Sequence, residues 1–248
     1  MILIIANSED SLLYLKTLLR YSEDINITQN YVAHVGKING QDVCLVATSY
    51  TSYASEFVST LLLQKYSPYL VIYLGDVMAI TKGIKPGSIF LSNDVIYPDI
   101  DQTQRDSRII LFQAPLLKKE TSEGNYLITS FNKVLSAATV RNAVVGTIAS
   151  SNRYITKSSE IGMKTDDLES LVRTPLVWDS EFGGVSIACH MFDVPLLAVT
   201  TVSCTIDNSR SMVERTKVIL RGQVELGKAL ASYISSLNDE EATFIRKW

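Results

Sequence analysis

Residues 174–207 read TPLVWDSEFGGVSIACHMFDVPLLAVTTVSCTID. Leu176–Trp178 is a short apolar run between a proline and an aspartate, which predicts a brief buried strand. Glu181–Phe192 predicts a helix, and Val194–Thr200, apolar at almost every position, predicts a strand covered on both faces. The same alternation repeats outward from this block. Met1–Ala6 is apolar throughout and runs into Asn7-Ser8-Glu9-Asp10, a strand entering a helix start. Leu12, Leu15, Leu18 and Leu19 follow at helical spacing, with Ser8 or Ser11 as cap. Strands at Val32–Val35 and Val43–Thr48 flank Ile38-Asn39-Gly40, an Asn-Gly hairpin signal. A helix carrying Ala54, Phe57, Val58, Leu61 and Leu62 leads to a buried strand, Leu70–Leu74, which Gly75 ends.

Further strands are expected at Ser88–Leu91 and Val144–Ala149, with a helix through Phe131, Val134, Leu135 and Ala138. Asp99–Arg108 and Ser150–Asp167 are polar and loop-like. The last helix is expected from Ser211 to Leu237, with Val213, Leu220, Val224, Leu230 and Ile234 on its inner face. Strands alternating with helices imply an α/β sheet with helices on each face. No internal repeat or Pro/Gly-rich linker interrupts the chain, so one domain over residues 1–248 is expected.

The balance of 23 Lys+Arg against 26 Asp+Glu gives a net charge of −3, without the basic footprint that nucleic-acid binding needs. Hydrophobic residues at 46% exclude a disordered chain. Cys44, Cys189 and Cys204 have no CxxC spacing, and only two histidines are present, so neither a metal site, a cofactor nor a disulfide framework is expected. The N-terminus lacks the form of a signal peptide, and no apolar run reaches membrane-spanning length. A cytoplasmic protein with no membrane partner is expected.

In an open α/β sheet, ligands bind at the carboxyl ends of strands. That rule selects Asn7–Ser11, Gly75-Asp76, Ser150–Ile155, Asp179-Ser180-Glu181 and Ser203–Asn208. Glu181 stands at a strand-to-helix junction, where Gly183 and Gly184 allow close backbone approach. Two readings stay open from the residues alone. Glu181 either accepts hydrogen bonds from ligand hydroxyls or complements the helix dipole.

The same block resembles the purine nucleoside phosphorylase/hydrolase family, and within it the methylthioadenosine/S-adenosylhomocysteine nucleosidases. The resemblance rests on Asp179-Ser180-Glu181, on Cys189-His190-Met191-Phe192-Asp193-Val194-Pro195 and on Val202-Ser203-Cys204. It extends to the N-terminal strand and to GIKPGSIFLSNDVIYPDID, with Tyr97, Asp99 and Asp101. It implies an α/β fold with a twisted mixed sheet flanked by helices, a homodimer, and a purine nucleoside or thionucleoside as ligand. It also implies N-glycosidic cleavage through an oxocarbenium-like transition state. A general acid on the base, a carboxylate on the attacking water and a Glu on the ribose each serve that reaction.

Carried over by position, Glu181 falls on the ribose-binding Glu, Ser180 on a second ribose contact, and Tyr154-Ile155 on the pair that stacks on and flanks the purine. Ser203 matches the serine before the acid. The acid itself is replaced by Cys204, the water-positioning Glu by Ser11, and the glycine-rich loop after the central strand by Gly75-Asp76-Val77-Met78-Ala79. A thiol is a poor proton donor beside a carboxylic acid. Asp76 disfavours an anionic co-substrate, so hydrolysis is expected over phosphorolysis. Asp207, three residues beyond Cys204, is the expected substitute acid, and Glu9 and Asp10 stand just before Ser11. The alternative is a catalytically impaired member that binds a nucleoside or a protein partner. Arg153 is a candidate ligand contact or a plain surface arginine, and His190 is expected as a core residue.

Overall fold

A computed structural model describes residues 1–48, 51–100, 143–161, 165–208 and 212–237. The elements run β1 (Ile2–Ala6), α1 (Glu9–Leu18), β2 (Arg20–Asn26), β3 (Val32–Ile38), β4 (Gln41–Ala47), α2 (Ser52–Tyr66) and β5 (Leu70–Ala79). They continue through β6 (Ile89–Ile96), β7 (Ala143–Ser150), α3 (Thr165–Val172), β8 (Leu176–Asp179), α4 (Phe182–Met191), β9 (Leu196–Thr205) and α5 (Met212–Ser236). Asp101, the segment around Phe131 and the chain beyond Leu237 lie outside the described residues.

Side chains alternate across each strand, so an apolar strand feeds two cores. Leu3 and Ile5 of β1 pack with Val58 and Leu62 of α2 and with Phe182 and Val185 of α4. Ile2 and Ile4 pack on the other face with Leu12 and Leu15 of α1 and Leu230 and Ile234 of α5. This is the mixed α/β sheet flanked by helices that the sequence implied.

The strand order is β2-β3-β4-β1-β5-β8-β7-β6-β9, and β9 returns to pair with β5, closing the second half of the sheet on itself. One edge of β5 follows β9 from Val71 to Ala79. Its other edge changes partner. Leu70–Leu74 pair in parallel with β1, whereas Met78 and Ala79 pair antiparallel with Trp178 and Val177 of β8. Gly75, Asp76 and Val77 therefore face a gap. Because β1 and β8 run toward it from opposite sides, both strands deliver their carboxyl ends there.

Several sequence expectations are corrected. Gly75 does not end β5; a Cβ there would lie 2.9 Å from the Asn7 side chain, so the glycine marks a close approach. The expected polar loop Ser150–Asp167 contains a 3-10 turn at Ser158–Glu160 and the first turn of α3. The polar strand β2 carried no apolar signal, being an exposed edge whose charges discourage further pairing. On α5, burial begins at Gly222 and continues through Leu226, Leu230 and Ile234. Val213, Leu220 and Val224 are exposed: the first two precede the point where α5 reaches the core, and Val224 lies on the helix face turned away from it. No helix among the described residues is long and apolar enough to cross a membrane.

Candidate active site

The gap beside Gly75 opens into a cleft of ≈ 710 Å³. Asn7, just past β1, donates from Nδ2 to the Asp76 carboxylate (3.2 Å) and carbonyl (3.3 Å). Its Oδ1 accepts from Ser11 Oγ at 3.2 Å, and Ser8 caps α1 by accepting from the Ser11 amide. Ser11 is thus buried in the turn and does not line the cleft. Glu9 and Asp10, in the first turn of α1, line it instead.

From β8 come Asp179, Ser180 and Glu181, all lining the cleft. Asp179 Oδ1 accepts from the amides of Glu181 (2.7 Å) and Phe182, and Oδ2 accepts from the Tyr73 hydroxyl at 2.9 Å. Burial pushes the Asp179 carboxyl up to about 6 against these hydrogen bonds, and the Asp76 charge adds to the rise. The native state therefore holds this proton more tightly than the unfolded chain. The resulting stability is present at low pH and lost as pH rises through about 6. Relative to Asp179→Asn, the parent chain is expected to lose about 1–2 kcal/mol between pH 5 and pH 8, read from urea midpoints. A difference that does not change with pH would refute this.

Glu181 is 9% exposed. Its amide is held by Asp179, and its carbonyl accepts from Ser55 Oγ on α2 at 2.5 Å. The backbone is fixed from two elements, which sets the side chain on the cleft wall. Gly183 and Gly184 follow because α2 and its neighbours pack there. A Cβ on Gly184 would lie 1.9 Å from the Ser52 carbonyl oxygen, so the glycines admit the fold, not a ligand.

Arg153, Tyr154 and Ile155, beyond β7, form another wall. Trp178 Nε1 donates to the Arg153 carbonyl at 3.1 Å, tying this loop to β8. Ile155 is buried and Tyr154 exposed. Ser203 and Cys204 of β9 are buried behind the cleft and are not among its lining residues. Ser203 Oγ donates to the Val77 carbonyl (3.2 Å), while Cys204 packs among Met78, Trp178 and Ile155.

Arg215, at the start of α5, enters the cleft. It pairs with Asp76 Oδ2 at 3.2 Å and donates to Ser203 Oγ (3.3 Å) and to the Tyr154 hydroxyl. Burial, the largest single influence, works to lower its pKa, but the Asp76 charge and hydrogen bond together with smaller contributions from neighbouring groups outweigh it, and the net shift is upward. Sequence reasoning missed Arg215, since a basic residue on an exposed helical turn carries no local signal. It also named the Asp179 segment without assigning Asp179 a role.

The structure brings Glu181, Ser180, Tyr154, Ile155, Asp76 and Arg153 to one cleft. It does not bring Asp207 there. That residue sits on an exposed turn with φ 61°, accepting from the Ser158 amide at 2.9 Å. Hydrogen bonds from Ser158 hold its carboxyl below the usual range, which suits a turn and disfavours proton donation. Asp99 accepts from the Asn152 amide at 3.1 Å, and His34 faces Asp24 at the sheet edge.

Strand ends converging on such a cleft form the arrangement in which open α/β sheets bind small ligands. The model of the phosphorylase superfamily matches residues 1–235, and the chain belongs to that family. The 5′-methylthioadenosine/S-adenosylhomocysteine nucleosidase of Staphylococcus haemolyticus is 28% identical over 208 residues, 82% of this chain and 86% of that protein. The Listeria welshimeri nucleosidase is 27% identical over 214 residues, 81% and 84% respectively. The Neisseria meningitidis nucleosidase in complex with methylthio-immucillin-A has a TM-score of 0.79 at 16% identity, over 95% of this chain and 99% of that one. The Colwellia psychrerythraea nucleosidase in complex with adenine gives 0.76 at 18%, over 94% and 93%. The sequence resemblance holds, and the structural likeness extends the fold over nearly the whole chain.

Proposed function

We propose that the chain binds a purine nucleoside or thionucleoside and hydrolyses its N-glycosidic bond. The observation that carries this reading is Glu181, fixed by its backbone at the wall of a cleft that also holds Tyr154 and Ile155. Ribose hydroxyls donate to the Glu181 carboxylate, with Ser180 beside it, and the purine stacks on Tyr154 against Ile155. Negative charge near the sugar favours the ribosyl cation as the bond breaks. Glu9 and Asp10 stand where a carboxylate can orient the attacking water, the role Ser11 cannot fill. Among the described residues five carboxylates against two arginines line the cleft, which favours water over phosphate as nucleophile. Cys204 is buried at the position of the family's acid, so among the described residues that position offers the base no carboxylic proton donor, and slow turnover is expected.

Homologous activities named for the relatives support the reading. The test incubates the intact chain with methylthioadenosine, adenosine and inosine, with and without phosphate, and follows free base by chromatography. Base release independent of phosphate is expected. Thermal stabilisation without release would support the binding alternative, and the absence of both effects would overturn the nucleoside reading.

A homodimer is proposed as well. Tyr53 and Phe57, one turn apart on α2, are 72% and 56% exposed, a pairing of aromatics typical of interfaces. Sedimentation at about twice the chain mass is expected; a monomer at micromolar concentration would refute it. The three cysteines, all buried and unpaired, fit the reducing cytoplasm.

A further inference from the structure

We infer that Arg215 selects the base, so that the cleft takes a 6-oxopurine nucleoside in preference to a 6-aminopurine. This rests on the nucleoside reading above and deepens it. A guanidinium carries five N–H donors in a rigid plane. Among the described residues three contacts fix that plane: Asp76 Oδ2, Ser203 Oγ and the Tyr154 hydroxyl. Donor capacity remains for a ligand.

The orientation follows from Tyr154. Arg215 reaches the ring through its hydroxyl, with Cζ 5.6 Å from the ring centroid, so the guanidinium lies toward the hydroxyl end. A base stacked on the ring face then presents an edge to the guanidinium. Hypoxanthine and guanine offer two adjacent acceptors on one edge, O6 and N7, which match a planar fork. Adenine offers N7 beside an amino group, and donor would face donor.

The nearby carboxylate does not reverse this preference. Asn7 at Oδ1 and Arg215 at Oδ2 take two of the about four lone-pair sites of Asp76, and what remains is one competing acceptor against a two-donor fork. Cys204, at the position of the family's acid, is buried behind the cleft and gives an amino group no carboxylate to meet.

Titration calorimetry on the intact chain tests this with inosine against adenosine and free hypoxanthine against free adenine. Inosine is expected to bind at least about tenfold more tightly than adenosine. Arg215→Met is expected to abolish the ratio. Arg215→Lys, which keeps a charge beside Asp76 but not the fork, is expected to reduce it; melting curves establish that each variant is folded. Equal affinities in the parent chain, or a ratio surviving in the folded variants, overturn the base assignment alone. If no nucleoside binds, the nucleoside reading fails and this inference falls with it.

Discussion

Glu181→Gln is expected to lower kcat/KM for nucleoside hydrolysis by about 10²–10³-fold while moving the Tm by no more than a few degrees. The size of the loss comes from two sources. Each charge-assisted hydrogen bond from a ribose hydroxyl contributes roughly 1.5–3 kcal/mol, and the carboxylate charge also stabilises the ribosyl cation in the transition state. The amide keeps one acceptor and loses the charge, so about 3–4 kcal/mol is removed, and each 1.4 kcal/mol is tenfold. The small stability effect has a separate cause. Glu181 anchors α4 through its backbone, to Asp179 and to Ser55, and those bonds survive the substitution. Initial rates and melting curves on the same preparations decide it. A loss below threefold would remove Glu181 from the chemistry.

Much of the fold was legible because its signals are local. The five apolar residues of β1 are buried on both faces, and the apolar run alone says so. Asn39 and Gly40 occupy the hairpin with φ of 49° and 86°, the left-handed pair that the Asn-Gly signal predicts. What the sequence hid depends on partners distant along the chain. Gly75 punctuates a strand only if Asn7 is ignored, and Asn7 lies 68 residues earlier. Strand β2 is recognisable by its hydrogen bonds to β3, since its side chains are polar and exposed. The site followed the same division. Strand ends lead to Glu181 and Tyr154 on the cleft wall because a sheet presents its carboxyl ends together, whereas Asp76 reaches it from within β5, where the pairing partner changes. Asp207 was selected by nearness to Cys204 in sequence, but β9 ends in a turn that directs it to Ser158. Arg215 comes from a different element and needed the fold to place it beside Asp76.

Gly184→Ala is expected to destabilise the chain by about 3 kcal/mol or more, with nucleoside binding lost in step. The added Cβ would lie 1.9 Å from the Ser52 carbonyl oxygen, 2.5 Å from Ser55 Oγ and 2.6 Å from the Glu56 amide nitrogen. Two of these atoms belong to the α2 backbone and cannot rotate away, so α2 and α4 must separate. Separation strains the Ser55 bond to the Glu181 carbonyl, and the same movement shifts the carboxylate in the cleft. Gly227→Ala supplies the contrast. Its Cβ would lie 2.7 Å from Tyr14 Cδ1 and 3.0 Å from Tyr14 Cβ, so α1 and α5 must shift slightly, while alanine raises helix propensity by about 1 kcal/mol. Its net cost is expected to fall below that of Gly184→Ala, because no backbone atom is met and the helix gain offsets part of the shift, with binding intact. Urea midpoints and inosine affinity measured on both variants separate the cases. Glu181→Gln loses function at constant stability, whereas Gly184→Ala loses both, because one glycine admits the helix that holds the acid. A Gly184→Ala chain as stable as its parent would show that α2 and α4 do not fix the site.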